Sequence, residues 1–176
     1  MANINTQHIG LKNGYVELLS NKPDWAKYYQ EEEASIRNAL KGGLVMVEHV
    51  GSTAIKSIKA KPIIDILVVV RQVFDISNAE KLLVNIGYEK GLFQREGEIF
   101  YLKSKNDIHT HYIHLVTEKD DWKRYILFRD YLNSNPDVAT SYEETKIRLA
   151  KVYFNNRKEY TAAKMEFVEN ILSKLR

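Results

Sequence analysis

Ile63-Ile64-Asp65-Ile66-Leu67-Val68-Val69-Val70 is an apolar run broken by a single carboxylate. It is too short to span a membrane and too rich in β-branched residues to prefer helix, so it reads as a buried strand. A charge buried there without a partner costs several kcal/mol. A chain keeps such a residue where it faces a cation, a substrate or a paired base. Just upstream stands Glu48-His49-Val50-Gly51-Ser52-Thr53-Ala54. Together the two stretches predict a strand, a Gly-Ser turn, a basic loop and a second strand with an inward Asp.

Outward from this unit, the pattern predicts a mixed α/β part over about 1–118 and a helical part over about 119–176, as a single domain. Asp24 is placed to cap a helix to about Leu40, with Trp25, Tyr28, Tyr29, Ile36 and Leu40 on one stripe and Gly42-Gly43 as the stop. Val45–Val50 reads as a strand, and Thr53–Ile58 as a brief helix. Asp75–Ile86 reads as a helix, two strands flank Arg95-Glu96-Gly97-Glu98 as a hairpin, and His109–Val116 is a further strand. Helices follow over about Trp122–Leu132, Pro136–Phe154 and Arg157–Leu175. Asn135-Pro136 supplies a cap and a first-turn proline.

Bulk properties narrow the function class. The chain has 176 residues, 44% of them hydrophobic, and a formal charge of +3 from 26 basic and 23 acidic side chains. That balance does not describe a dedicated nucleic-acid binder. There is no cysteine, so thiolate chemistry, a disulfide frame and Cys-based zinc sites are excluded. The first residues lack a basic flank followed by an apolar stretch, and no apolar run approaches a membrane span, so a cytoplasmic protein is expected.

The chemistry follows from residue type and position. Gly51 lets a backbone approach a phosphate closely, Ser52 adds a hydroxyl, and the amides from Thr53 onward face an anion if a helix starts there. Lys56, Lys59 and Lys61 put three ammonium groups in the same loop. Strand alternation places Ile63, Asp65, Leu67 and Val69 on one face. Asp65 there is suited to a divalent ion bound to phosphates, since magnesium takes only one or two protein carboxylates. In the later strand, Thr110, Tyr112 and His114 share one face, while His109, His111, Ile113 and Leu115 share the other. His114 is a candidate proton carrier or transition-metal ligand. The aromatic residues of the helical part read as packing, whereas Arg129 and Lys146 are candidates to reach a phosphate.

Val47-Glu48-His49-Val50-Gly51-Ser52-Thr53-Ala54 and Ala60-Lys61-Pro62-Ile63-Ile64-Asp65-Ile66 resemble the GrpB family, also called UPF0157. The resemblance continues through Phe128-Arg129-Asp130-Tyr131-Leu132, Tyr142, Lys146, Leu149-Ala150 and Tyr160-Thr161-Ala162-Ala163-Lys164. That family is assigned to the nucleotidyltransferase superfamily with the DNA polymerase β-like fold. The resemblance implies an α+β fold, with a mixed sheet, flanking helices and a C-terminal helical segment. It also implies a nucleotide or phosphorylated small molecule as partner. Gly51, Ser52, Thr53, Lys61, Tyr112, Arg129 and Lys146 would line the ligand site. Asp65, Glu48 and His114 would serve catalysis and metal binding, with Mg or Mn as the ion and Zn as the alternative. The chain departs from an active transferase at Leu67, where a second strand carboxylate belongs, and at His114, where a third does. Glu48 can restore one. Lys56-Ser57 stands where relatives often have Pro-Gly, and a His-His-x-His pattern becomes His111-Tyr112-Ile113-His114. A non-catalytic binding module and a His-assisted metal hydrolase are the alternative functions.

Overall fold

In the computed structural model, residues 9–72 and 76–175 are described, the side chains of 93 and 94 excepted. Helix α1 (Asp24–Leu40) precedes a sheet of strands β2 (Leu44–Val50) and β3 (Ile64–Val70), and helix α2 (Ile76–Asn85) follows them. Strands β4 (Glu89–Arg95), β5 (Glu98–Lys105) and β6 (Ile108–Thr117) complete the row, and β1 (Leu11–Lys12) pairs with the start of β6. The chain closes with α3 (Lys123–Ser134), α4 (Pro136–Val152) and α5 (Arg157–Leu175). The strand order is β2-β3-β6-β5-β4. Only β3 and β6 run parallel among the described pairs, and the others are antiparallel.

The near-continuous apolar sequence of β3 is explained by its neighbours. It has a strand on each side and is covered on both faces, the condition that removes the usual polar alternation. Ile64, Ile66, Val68 and Val70 face α1 and α2, against Ile36, Leu40, Ala79 and Leu83. Leu67 and Val69 face the other way, with Val50 and Val116, under Trp122, just before α3, and Tyr125 and Ile126 within it. Helices α3 to α5 bury Phe128, Leu132, Ala139, Tyr142 and Leu172 against one another, and Ile55 and Ile58 from the loop after β2 join them.

Four local expectations change. The helix read over Thr53–Ile58 is a three-residue 3₁₀ turn, Ser52–Ala54. The chain must leave it extended, with Ile55 at φ −102°, so that Ile55 and Ile58 reach the helical core. No helix N-terminus is therefore presented to an anion there. Asp24 is the first residue of α1, preceded by Pro23, so its charge sits at the positive end of the helix. Asn135 turns its side-chain amide back to Tyr131 O at 2.8 Å and closes α3 instead of capping α4. In β6, Lys103 pairs with His111 and Ser104 with His109, leaving Thr110 as an extra residue. This bulge inverts the alternation beyond it, so His109 meets Tyr112 Oη at 2.9 Å and does not share the face of His111. The start of α2 at Asp75 and the extreme N-terminus lie outside the described residues. Among the described residues, no helix is long and apolar enough to cross a membrane.

Candidate functional site

Val50 stands opposite Asp65 in the β2–β3 ladder, so Gly51 leaves the sheet beside that carboxylate. Gly51 has φ +68°, and a Cβ added there would lie 2.9 Å from both Cβ and Cγ of Asp65. The turn demands glycine twice over, for its backbone angle and for its closeness to the acid. Gly51→Ala is expected to cost about 2 kcal/mol and lower the melting temperature by roughly 4–8 °C. A thermal melt unchanged from the parent protein would show that the turn carries no such constraint.

Asp65 is the first member of a chain of charged groups. Its Oδ1 lies 3.4 Å from His114 Nε2, and His114 Nδ1 lies 2.6 Å from Glu98 Oε1. Tyr125 Oη donates to the other oxygen of Glu98 at 2.5 Å. Burial alone pulls the His114 imidazole down, yet its hydrogen bonds and charge contacts with Asp65 and Glu98 push it up to about 9. Burial alone raises both carboxyls, and the same contacts with His114 draw each below its ordinary value. His114 thus lies clamped between two acids that favour its cationic form, with a carboxylate oxygen within reach of each ring nitrogen. A metal on His114, as expected from the sequence, would have to displace one of these contacts.

Glu48 is on the face of Asp65, opposite Leu67 in the ladder. Its Oε2 accepts a hydrogen bond from Arg129 Nη1 at 2.7 Å, and the same nitrogen donates to His49 O at 2.8 Å. Arg129 Nε donates to Asp130 at 2.8 Å. Arg129 therefore ties α3 to β2, and its guanidinium is largely taken up by protein groups. Thr53 is buried, with Oγ1 2.9 Å from His49 Nε2. That imidazole stacks on Tyr29 at 4.9 Å and is lowered to about 4, first of all by burial. Tyr112 Oη is held by Arg157 Nη1 at 2.8 Å. The hydroxyls of Thr53 and Tyr112 are thus engaged within the protein.

The free cationic chemistry lies on the other side of the turn. Ser52 Oγ is 3.4 Å from Tyr142 Oη. Tyr142 also hydrogen-bonds Lys164. Lys146 is buried, donates Nζ to Lys59 O, and lies 4.8 Å from the centre of the Tyr142 ring. Lys61 Nζ lies 5.5 Å from the centre of the Tyr160 ring. Burial, and repulsion from Lys164, lower Lys61 and Lys146 to about 7. For Lys164 burial also works downward, but Tyr142, Tyr160 and Asp65 raise it above the ordinary lysine value. The facing carboxylates are Asp65 and Glu143, and Glu143 already accepts the Lys59 N–H at 2.5 Å.

Of the residues expected at a site, Gly51, Ser52, Asp65, Lys61 and Lys146 lie around one turn. The sequence assigned no site role to Lys164 or Glu98, and Tyr125 read as packing. A usable signal for Lys164 was present: Tyr142/Lys146 and Tyr160/Lys164 repeat one i,i+4 pair on successive helices. For Glu98 only its strand face was readable, not its partner.

The same residues decide what ion the site suits. Among the described residues there is no group of three or more His, Asp or Glu able to hold a metal. Leu67, fully buried, fills the next position on the face of Asp65. With Glu48 paired to Arg129, the donor set offers a hard cation at most the Asp65 carboxylate. It does not fit a pair of ions or a zinc centre.

The fold is shared with nucleotidyltransferases. Cid1 poly(U) polymerase, solved bound to MgATP, superposes with a TM-score of 0.52 at 14% identity, over 75% of this chain and 44% of that one. The match to the GrpB protein family spans residues 15–174, and the chain belongs to that family. It is 36% identical over 173 residues to the glutamate-rich protein GrpB of Alkalihalophilus pseudofirmus, covering 95% of this chain and 99% of the relative. A UPF0157 protein of Pseudomonas aeruginosa is 37% identical over 168 residues, 90% of this chain and 67% of that one. The crystal structure of the conserved protein GrpB from Enterococcus faecalis has a TM-score of 0.79 at 30% identity, over 90% of this chain and 99% of the other.

Proposed function

We propose that the protein binds a nucleotide or another phosphorylated small molecule, with its phosphates between the Gly51-Ser52 turn and Lys61, Lys146 and Lys164. One observation carries this reading. A loop lysine and lysines from two helices converge with Ser52 and Tyr142 where the carboxylates are too few to balance them. Lysine ammonium groups act on phosphate as point charges, and a partly dry seat strengthens each contact. The seat draws on sheet and helices alike, which supports reading residues 1–176 as one domain. Where a magnesium or manganese ion takes part, Asp65 would hold it together with the ligand's phosphates, and it would screen their charge.

Leu67 favours a binding module, or a slow enzyme, over rapid nucleotidyl transfer, because two-metal chemistry uses a second carboxylate to fix its second ion. The clamped His114 argues against a metal hydrolase centred on that ring. Isothermal titration calorimetry tests the reading. A nucleoside triphosphate should bind more tightly than its nucleoside, and added salt should weaken it. Lys146→Met fills a similar volume without the charge and should reduce triphosphate affinity about tenfold. Nucleoside and triphosphate binding equally well would overturn the phosphate seat.

A further inference from the structure

We infer that the opposite face of the sheet carries a second, separate site, for a borderline divalent ion such as zinc or cobalt, held by His111, Glu32 and Tyr88 between α1 and β6. None of the phosphate binding proposed above depends on it.

The bulge at Thr110 builds this site. Lys103 and His111 stand opposite each other there, and His111 turns to the face covered by α1. Thr110 Oγ1 donates to Lys103 O at 3.3 Å, since a carbonyl only accepts. The lone pair of that hydroxyl is then what meets His111 Nδ1 at 3.0 Å, so Nδ1 carries the hydrogen of the neutral ring. Nε2 is left as a lone pair. It is buried without a hydrogen-bond partner, and 3.8 Å from it lies Glu32 Oε2, a second lone-pair atom. Two buried acceptors facing one another are costly unless something positive joins them. Tyr88 supplies a third atom. Its Oη is buried beside Glu32 and in hydrogen-bond geometry with nothing.

The spacing discriminates between the bridges that fit these atoms. A water with hydrogen bonds of about 2.8 Å and a tetrahedral angle holds its two partners about 4.6 Å apart. A metal with bonds of about 2.1 Å holds them about 3.4 Å apart. The observed 3.8 Å is nearer the metal. The outer contacts also match, because ligating imidazoles and carboxylates are oriented by bonds on their far atoms. Thr110 takes the far nitrogen of His111, and Lys103 takes the other oxygen of Glu32. Lys103 offsets the carboxylate charge, so the ion meets a shell close to neutral, as it does among three imidazoles. A shell of that charge containing nitrogen suits zinc or cobalt and not magnesium or calcium. The Glu32 and His111 side chains are each 11% exposed and Lys103 25%, so an ion enters past Lys103.

The tag-free full chain, stripped with EDTA and dialysed against cobalt, tests this. Stoichiometric binding with the visible bands of four-coordinate cobalt is expected, and zinc should displace it. His111→Ala should lose affinity at least tenfold, and Thr110→Val, which only frees Nδ1, about tenfold. Tyr88→Phe should shift the bands. Asp65→Asn and His114→Ala should bind as the parent does. In the unaltered protein, ring-nitrogen NMR should place the His111 lone pair on Nε2 and show that signal moving when zinc is added, whether or not each variant folds. Absence of stoichiometric binding would overturn the inference and leave a buried water as the bridge. Binding kept in His111→Ala and lost in Asp65→Asn would overturn it by placing the ion on the other face.

Discussion

Lys164→Glu is expected to weaken tripolyphosphate binding a hundredfold or more while the protein remains folded. Of the three lysines, Lys164 is the one raised above the ordinary lysine value against the effect of burial, with Tyr142, Tyr160 and Asp65 beside it. Lys61 and Lys146 are lowered to about 7, partly by Lys164 itself. Reversing Lys164 changes the local charge by two units beside Tyr142, which it hydrogen-bonds. Each unit is expected to matter by at least as much as a hydrogen bond to a charged group, about 1.5–3 kcal/mol. The fold should survive because the new carboxylate relieves Lys61 and Lys146 of repulsion. The same logic fixes a pH dependence. A bound phosphate raises the pKa of Lys61 and Lys146, so binding near neutrality takes up protons and affinity falls as pH rises through about 7. Calorimetry in buffers of different ionisation enthalpy reads that uptake. Proton release on binding, or a Lys164→Glu protein that binds as the parent does, would show that the lysines do not hold the ligand.

How much of this was readable from sequence depends on how far apart the interacting residues stand along the chain. The strand around Asp65, the Gly51-Ser52 turn and the three C-terminal helices were legible because local periodicity and a glycine with an obvious role determine them. Asp65 against Gly51 was legible for the same reason: β2 and β3 are consecutive, and their antiparallel pairing joins the two positions. The helix expected after Ser52 was not formed because Ile55 and Ile58 had a better use in a core built by residues much later in the chain. Tertiary packing overrode local preference there.

The face of His109 was misread for a different reason. A strict period of two holds only along an unbroken ladder, and one extra residue at Thr110 reverses it. The pairing of Arg129 with Glu48, and of His114 with Glu98, was not legible at all. Both depend on which elements lie side by side, and no spacing along the chain encodes that. The convergence of Lys146 and Lys164 is intermediate. Their shared i,i+4 pattern with a tyrosine is visible in the sequence, but the packing of α4 on α5 decides that the two pairs point to one place.

Glu98→Ala is expected to destabilise the protein by about 3–5 kcal/mol, the usual consequence of removing one partner from a buried, hydrogen-bonded ion pair. The Glu98 side chain is only 2% exposed and holds His114 at 2.6 Å and Tyr125 at 2.5 Å. Its loss leaves the imidazolium facing Asp65 alone and the tyrosine hydroxyl without its acceptor. The pH profile separates this electrostatic cause from simple loss of packing. His114 is raised to about 9 from an ordinary 6.5, so the stability it contributes is fully present below 6.5 and lost as pH rises through about 9. Glu98 is lowered from an ordinary 4.5, so its contribution is present above 4.5 and lost as pH falls through the folded value. The difference between the parent and Glu98→Ala should therefore be largest between about 4.5 and 6.5 and shrink on either side. Urea denaturation midpoints across that range supply the measurement. Glu98→Gln keeps the shape and an oxygen for Tyr125, so it should cost less than the alanine change and still flatten the profile. A difference that stays constant up to pH values above 9, where the imidazolium has lost its proton, would mean that Glu98 is packed there for its volume and that His114 is not held as a cation between two acids.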